Sequence, residues 1–464
     1  MRRSLILCWM LVAALLLLAV YQQLQLPGTA ADMPAATDAP AYQMLYTHPQ
    51  SDFDTMTITL ASGESYTVRS DMGFDENGNL LGVYNHLGQP LIVEGHEDFA
   101  LATVSYQMML LTAQNVPYTA SYAGLDQNAC GLASPLARIR LRYHSGEEVE
   151  LSIGNLTSSG ESCYVAMSGS DLTYLVPYDF HQVMTRPLSD HHRLPGALGL
   201  DASSAVQIAV TGIPEGQLIA TYHDGQLLHW QIDAPLSHAG STAQIEAFIT
   251  GLCALEADAY VDTVSDAAGL AKYGLDQPRR LIAAFSGGTI RDIHLGSDAG
   301  DGMVYARMDS TGDVYLISRS RLVFAENIGL DTLLDRFVAL VPMNTLQAVD
   351  IALPDATHTL SLTWESEDAT EPIDYKLDGE SIAREQFTAL YSPMVGLQFD
   401  QTALSAAPGE ALLGLRYTQR SGEQITVVLS AYDHHYALAQ TSGGGSFLVR
   451  LEYIDQFLTT FKED

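Results

Sequence analysis

Histidines and carboxylates occur in several short motifs that are candidates for metal binding or acid–base chemistry. His96-Glu97 begins like H-E-x-x-H, a helical motif in which two histidines one turn apart bind zinc. The position of the second histidine holds Ala100, which has no ligand atom. The sequence therefore predicts no zinc-protease site here.

A second candidate is the acidic run that starts at Asp75 and includes Asn77 and Asn79, like the start of a calcium-binding loop. Such a loop needs glycine at its sixth position for a sharp turn and a bidentate glutamate at its twelfth. These positions hold Leu80 and His86. A hairpin turn is therefore expected.

The tripeptide Asp-His-His occurs twice, at 190–192 and 433–435, and paired histidines can bind metals. The two copies hold different places in the repeats described below, which favours coincidence. The acidic loop with Asp298 and Asp301 is expected to be a solvated turn. We therefore predict no catalytic, cofactor-binding or metal-ligating residue. A triad of distant residues stays open, because triads are assembled in space.

The charge balance restricts the partners. The chain has 464 residues with 22 Lys+Arg against 55 Asp+Glu, a formal net charge of −33. Nucleic acid needs clustered cations, so a nucleic-acid-binding function is excluded. Two interpretations of the acidity remain: a solvated surface, or affinity for cations or a basic partner.

The four cysteines are Cys8, Cys130, Cys163 and Cys253, and no two form C-x-x-C. This spacing argues against a zinc site or a disulfide scaffold. Cys130 and Cys163 could pair, but buried free thiols are expected.

The amino terminus has the pattern of a membrane anchor. Arg2 and Arg3 precede an uncharged apolar run over residues 5–21, at the short end of what spans a bilayer. The positive residues should stay in the cytoplasm, so the body should lie outside. We expect a transmembrane anchor at 1–21 and a linker at 22–42. A signal peptide cleaved near 28–31 is the alternative.

The elements that position all these residues recur along the chain. Residues 131–184 and 274–324 share Gly-Leu-x-x-Pro, two strands joined by a Ser-Gly turn, and two strands with one tyrosine each. The matching residues are Gly131, Pro135, Gly154, Tyr164 and Tyr174 with Gly274, Pro278, Gly296, Tyr305 and Tyr315. A weaker third copy has alternating apolar residues on both sides of Ser421-Gly422. We expect each tyrosine pair to face each other on adjacent strands.

Each copy also has a front half with strands and one amphipathic helix. In the second copy Ser241 and Gln244 form a predicted capping box at the start of the helix. Apolar residues at helical spacing predict the buried side of each helix. These residues are Leu101, Val104, Met108 and Leu111 in the first copy, Ile245, Phe248, Ile249, Leu252 and Leu255 in the second, and Phe387, Leu390, Tyr391 and Met394 in the third.

The run Tyr273-Gly-Leu-Asp-Gln-Pro, with Leu295-Gly296, Tyr305 and Tyr315, resembles the exported bacterial "domain of unknown function 4340" family. The similarity is expected over nearly the whole body, most clearly over 200–342. The resemblance implies one membrane helix and repeated units. It also implies an accessory role beside ABC-type export or gliding-motility-like components, but no activity and no catalytic residue.

The expected fold is α+β, with three tandem divergent units, each a mostly antiparallel sheet with one or two packed helices. Their expected bounds are 43–195, 196–342 and, degenerate, 343–464. The function these features favour is a non-catalytic extracytoplasmic accessory or scaffold protein, anchored in the membrane, with protein partners in an ABC-type complex. The alternatives are an exported hydrolase of cell-wall or extracellular polymer, and a sensor or adhesin that binds a small ligand.

Overall fold

The computed structural model describes residues 43–224, 228–308 and 312–460. This part of the chain is α+β and rich in antiparallel sheet, with few helices, as the sequence predicted. The expected anchor at 1–21 and linker at 22–42 lie outside the described residues. None of the helices that are described combines the length and apolarity needed to cross a bilayer.

The described chain divides into two compact units. The N-terminal unit holds the residues up to Phe99 together with Val104–Arg186, and the C-terminal unit holds Ala100–Thr103 together with the residues from Pro187 onward. The elements of the first unit are β1 Gln43–Thr47, β2 Phe53–Leu60, β3 Ser65–Ser70, β4 Met72–Phe74, β5 Leu80–Val83, β6 Leu91–Val93, α1 Thr103–Gln114, β7 Asn115–Tyr118, β8 Ala120–Ala123, β9 Ala137–Tyr143, β10 Glu148–Leu156, β11 Ser162–Met167, β12 Leu172–Pro177 and α2 Tyr178–Met184.

The C-terminal unit contains two large sheets with their helices. The elements of the first of these sheets are β13 Ala205–Ile213, β14 Gly216–Tyr222, β15 Trp230–Ala234, β16 His238–Ala239, α3 Thr242–Ala254, β17 Ala259–Thr263, α4 Ala267–Lys272, β18 Arg279–Phe285, β19 Ile290–Gly300, β20 Met303–Met308, β21 Asp313–Ser318, α5 Val323–Glu326 and α6 Leu330–Leu333. Those of the other are β22 Leu346–Ala352, β23 Thr357–Thr363, β24 Asp374–Leu377, β25 Glu380–Ser381, α7 Arg384–Val395, β26 Gln401–Thr402, β27 Ala411–Gln419, β28 Gln424–Ala431, β29 Tyr436–Thr441, β30 Ser446–Arg450 and α8 Leu451–Thr460.

All three large sheets have one strand order. The second sheet runs β16-β15-β14-β13-β18-β19-β20-β21-β17, and the third runs β25-β24-β23-β22-β27-β28-β29-β30-β26. Counted within each sheet, both orders are 4-3-2-1-6-7-8-9-5. The first sheet, β6-β3-β2-β9-β10-β11-β12-β8, is the same without the fourth strand. A single bridge between Val93 and His96 takes its place, and an extra hairpin, β4–β5, is inserted between β3 and β6.

The apolar stripes of the second and third helices are buried as predicted. Every predicted residue on α3 and α7, together with Leu255, is at most 6% exposed. They belong to one continuous hydrophobic core that both sheets of the C-terminal unit share. Ser241 does begin α3, but its side chain makes no capping hydrogen bond, so the capping box is wrong.

The stripe predicted for α1 is also wrong, by one residue. Val104 is 58% exposed and Leu111 is 42% exposed. The helix buries Ser105, Met109, Thr112 and Ala113 instead. Four apolar residues are consecutive at 108–111, and polar residues are scattered along the rest of this helix, so periodicity could not determine its rotation. Hydrogen bonds do: the hydroxyls of Tyr46 and Tyr143 donate to the carbonyls of Thr112 and Ala113 at 2.6 and 2.8 Å.

The Gly-Leu-x-x-Pro segment forms the same turn in both copies, as predicted. Gly131 and Gly274 have φ of 73° and 68°, the left-handed region that favours glycine. Gly154 and Gly296 allow close approach: a Cβ there would lie 2.1 Å from the Cys130 carbonyl oxygen and 2.2 Å from that of Tyr273. Sequence comparison therefore located an equivalent backbone turn.

The paired tyrosines do not face each other, contrary to the prediction. Tyr164 is opposite Leu175, and Tyr174 is opposite Val165. The second pair is offset in the same way, because Tyr315 is opposite Ala306 rather than Tyr305. Successive residues of a strand point to opposite faces, so an offset of one residue separates the two rings.

Candidate functional site

A cleft of about 710 Å³ opens in the C-terminal unit between the second and third sheets. One side is the edge strand β16 with Gln231 of β15, and the other side is formed by the turns β27–β28 and β29–β30. The segment 337–342 connects the two sheets along the floor. The volume is within the range of small-ligand sites in proteins, about 300–1,000 Å³.

A tight contact between the two sheets fixes the cleft. The Ser237 amide donates to the Gly443 carbonyl at 3.1 Å. A Cβ at Gly443 would lie 2.5 Å from the Ser237 carbonyl oxygen, so only glycine permits this approach. The Gln231 amide donates to the Ser237 hydroxyl at 3.1 Å, which orients one polar wall.

The lining is mostly neutral and able to form hydrogen bonds. Its amides and hydroxyls belong to Gln231, Gln419, Gln424, Ser237, Thr345, Thr441 and Ser442, and its apolar side chains to Leu228, Phe337, Val338, Leu340, Pro342 and Ile425. Among the described lining residues Glu423 is the one carboxylate, and neither lysine nor arginine is present. Such a surface suits an uncharged ligand with both donors and acceptors, such as a peptide backbone.

His238 gives the cleft its one imidazole. Its ring lies 4.9 Å from the Phe447 ring, centroid to centroid, and Nε2 lies 3.3 Å from the Asp335 carbonyl oxygen. Burial lowers the pKa of His238, because the protonated ring would lose hydration. The side chain is therefore neutral at pH 7.

The first Asp-His-His copy contributes to a separate buried cluster. His192 stacks on Tyr260 at 4.0 Å, and its Nε2 lies 3.7 Å from a carboxylate oxygen of Asp313. Asp313 accepts hydrogen bonds from the hydroxyls of Thr263 and Tyr315 at 2.7 and 3.1 Å. The His192 side chain is only 1% exposed, so a polymer substrate could not reach it. Burial lowers the pKa of His192 despite the nearby carboxylate.

The second Asp-His-His copy lies on the surface. Asp433 accepts hydrogen bonds from the amides of His435 and Tyr436 at 2.7 and 2.8 Å, and so caps a turn. His434 and His435 are both exposed, with ring centroids 5.5 Å apart. No group of three or more histidine, cysteine or acidic side chains suited to a metal occurs in the part of the chain that the structure describes.

The acidic run at Asp75 forms a turn, whereas Asp298 lies near the end of strand β19 and the turn that follows is Asp301-Gly302. Asp75 accepts hydrogen bonds from the amides of Asn77 and Asn79 and from the Asn79 side chain, and these bonds lower its pKa. Arg319 likewise lowers the pKa of Asp298, with which it forms an ion pair. Because these carboxylates already serve their own loops, neither loop presents a preformed cation site.

The remaining candidate residues named from the sequence are His96, Glu97 and the cysteines. His96 and Glu97 are exposed, and the Glu97 carboxylate accepts from the Gly95 amide at 3.3 Å. Cys130, Cys163 and Cys253 are buried free thiols, as predicted. Cys8 lies outside the described residues.

Stability is expected to fall as the pH is lowered from 7 to 5. Burial lowers the pKa of His192 and His238 in the fold, so below about 6.5 the unfolded chain binds more protons and is favoured. His238→Phe removes one such group and should reduce the decline in Tm, measured by differential scanning calorimetry. His434→Gln, at an exposed position, is the control. An equal decline in both variants would contradict the assignment.

Sequence reasoning missed the cleft residues because they carry no motif. They come from an edge strand with its neighbour, two turns and a connecting segment, far apart in the chain. The one available signal was the Ser421-Gly422 turn, which was predicted as a hairpin but not as a wall of a site.

Residues 230–416 match the model of a family described as a domain of unknown function (DUF4340). The match begins at β15, ends within β27 and so includes both α3 and α7. It includes most of 200–342, where the similarity was expected to be clearest, and extends into the third sheet, but it does not cover nearly the whole body. No curated protein and no solved structure matches the chain. The similarity to the DUF4340 family thus covers residues 230–416 of the chain.

Proposed function

We propose that the chain is a non-catalytic accessory or scaffold protein on the outer face of a membrane, where it works with an ABC-type export or gliding-motility-like complex. The apolar run at 5–21 supports the anchor, and the two preceding arginines support the orientation. The acidic composition supports a soluble body without nucleic-acid partners.

The body is proposed to consist of three related units at 43–195, 196–342 and 343–464. The shared strand order of the three sheets supports this division. So does the equivalent turn at Gly131 and Gly274, where φ is positive in both. In proteins built from repeated units that share a hydrophobic core, the segments that connect the units are available to form binding surfaces.

The cleft between the second and third sheets carries the proposal of a binding role. Amides and hydroxyls at its walls can replace the hydrogen bonds that a peptide backbone makes with water, and apolar residues of the floor can bury a side chain. An extended, uncharged segment of a protein partner is the ligand that this lining fits best.

Filling the cleft is expected to weaken partner binding about tenfold. In Gln424→Trp a large ring replaces an exposed side chain that lines the cleft. Val428→Trp is the matched control, because Val428 is an exposed residue of the same strand, 44% accessible and outside the lining. A photo-crosslinking amino acid at Thr441 should capture a discrete membrane-complex protein in cells, and Gln424→Trp should lower that yield about tenfold, a loss of about 1.4 kcal/mol in binding.

The same cells separate the alternatives. Crosslinking that Gln424→Trp and Val428→Trp reduce equally, or no crosslinking at Thr441, contradicts the binding role of the cleft. Hydrolysis of purified cell-wall polymer by the full-length chain would instead support the exported hydrolase.

A further inference from the structure

A row of arginines lies on the solvent-facing side of the first sheet. Arg138, Arg140 and Arg142 alternate along β9 with buried residues, and all three are exposed. Three arginines on one strand stand out in a chain that has only 22 Lys+Arg against 55 Asp+Glu. We call these three residues the arginine row.

The register of the sheet decides which of these cations are neutralised. Arg142 is paired with Glu148 at 3.0 Å, and Arg140 with Glu150 at 3.5 Å. Arg138 is opposite Ser152 on β10 and Thr59 on β2, neither of which carries charge. No ion pair to Arg138 occurs among the described residues, so the row has one guanidinium more than it has carboxylates.

Hydroxyl groups surround the uncompensated guanidinium. Thr57 and Thr67 share a hydrogen bond of 2.9 Å, and Thr59 and Ser65 one of 3.0 Å. A shallow depression of about 150 Å³ is lined by Thr57, Thr59, Arg138, Ile139, Arg140 and Glu150, and the Glu150 carboxylate is already paired with Arg140. The depression therefore combines a cation with neutral donors.

The sheet itself does not require this arrangement. In the second sheet the positions equivalent to Arg140 and Arg142, aligned through Gly154 of β10 and Gly296 of β19, are Ile282 and Ala284. The position equivalent to Arg138 is Arg280, which forms an ion pair with Asp292 at 2.6 Å. The same fold thus tolerates apolar residues at these places or neutralises the arginine.

We propose that the arginine row binds a carboxylate of an acidic, extended segment in a partner protein. A guanidinium matches a carboxylate with two parallel hydrogen bonds, and the neighbouring threonine hydroxyls can donate to the same group. The shallow depression has room for a carboxyl group. The −33 net charge of the chain would repel a long polyanion. A short acidic segment is repelled less, because salt screens charges that lie more than about 8 Å away.

The test is binding of rhodamine-labelled tetraglutamate to the full-length chain at 0.15 M salt, followed by fluorescence anisotropy. Arg138→Gln is expected to weaken binding at least tenfold, and Arg138→Lys less, because lysine keeps the charge but not the two-pronged geometry. Arg319→Gln is the matched control: it also removes one exposed arginine, but from the C-terminal unit.

Three outcomes would overturn the proposal. Equal weakening in Arg138→Gln and Arg319→Gln would show a general charge effect. Equal binding of tetraglutamine would show that the carboxylate is not recognised. Displacement of tetraglutamate by inorganic phosphate at lower concentration than by acetate would assign the row to phosphate instead. Because Arg138 is exposed, weaker binding by Arg138→Gln should not result from unfolding. An unchanged Tm of this variant verifies that the fold is intact.

Discussion

Phe248→Ala is expected to destabilise the C-terminal unit by about 3–5 kcal/mol. Phe248 lies on α3, is 1% exposed and packs against Phe324 with ring centroids 5.8 Å apart. Its removal leaves a cavity that the surrounding helices and strands can fill only in part. Urea unfolding measures the loss, and Val323→Ala, at a position 64% exposed, should change stability by less than about 0.5 kcal/mol.

The same variant tests whether the second and third sheets unfold together. Trp230 lies in the second sheet and Trp364 follows the strand β23 of the third, and residues of both sheets share one core. We therefore expect Phe248→Ala to shift the fluorescence transition of both tryptophans to lower urea, when each is observed alone after replacement of the other and of Trp9. A shift confined to Trp230 would contradict the single core.

Gly296→Ala is the second change with a large expected effect, near the upper end of the roughly 1–3 kcal/mol that overpacking costs. A Cβ at this position would lie 2.2 Å from the Tyr273 carbonyl oxygen, which is backbone and cannot swing aside. The same carbonyl accepts hydrogen bonds from the Ser297 amide and hydroxyl at 2.8 and 3.0 Å, so relieving the clash breaks the turn.

Gly287→Ala is the matched control for this prediction. Gly287 has no positive φ, as Gly296 has none, but a Cβ there would meet nothing within 4 Å. Chemical denaturation of the two variants separates steric cost from the ordinary difference between glycine and alanine. Equal stabilities would refute the close approach at Gly296. Gly154→Ala, where the predicted distance to the Cys130 carbonyl oxygen is 2.1 Å, should repeat the effect in the N-terminal unit.

Local patterns in the sequence account for much of the secondary structure. Alternation of apolar residues predicted the strands on both sides of Ser421-Gly422, and these are β27 and β28. Helical spacing predicted the buried residues of α3 and α7, because apolar and polar residues are there clearly separated. The turn at Gly131 and Gly274 was predictable because a turn with positive φ strongly favours glycine, and glycine is present at this position in both copies.

Prediction from the sequence was wrong where the residue pattern did not separate apolar from polar positions. Apolar and polar residues of α1 do not separate into two faces, and the hydroxyls of Tyr46 and Tyr143 bond to the side of the helix that is buried. The predicted register of the tyrosine strands was also wrong. An offset of one residue puts Tyr305 and Tyr315 on opposite faces, and only the whole ladder of hydrogen bonds determines that offset.

The candidate sites depend on tertiary structure most of all. The arginine row is visible in the sequence, because arginine occupies every second position at 138, 140 and 142. Only strand pairing shows that Ser152 and Thr59, and not carboxylates, flank Arg138. Apart from the Ser421-Gly422 turn the cleft has no local signal, since Gln231 and Thr441 both line it only because two sheets pack through Ser237 and Gly443. Sequence by itself determined the strands, helices and turns, which depend on neighbours in the chain; the sites are contacts between distant segments, and those follow only from packing.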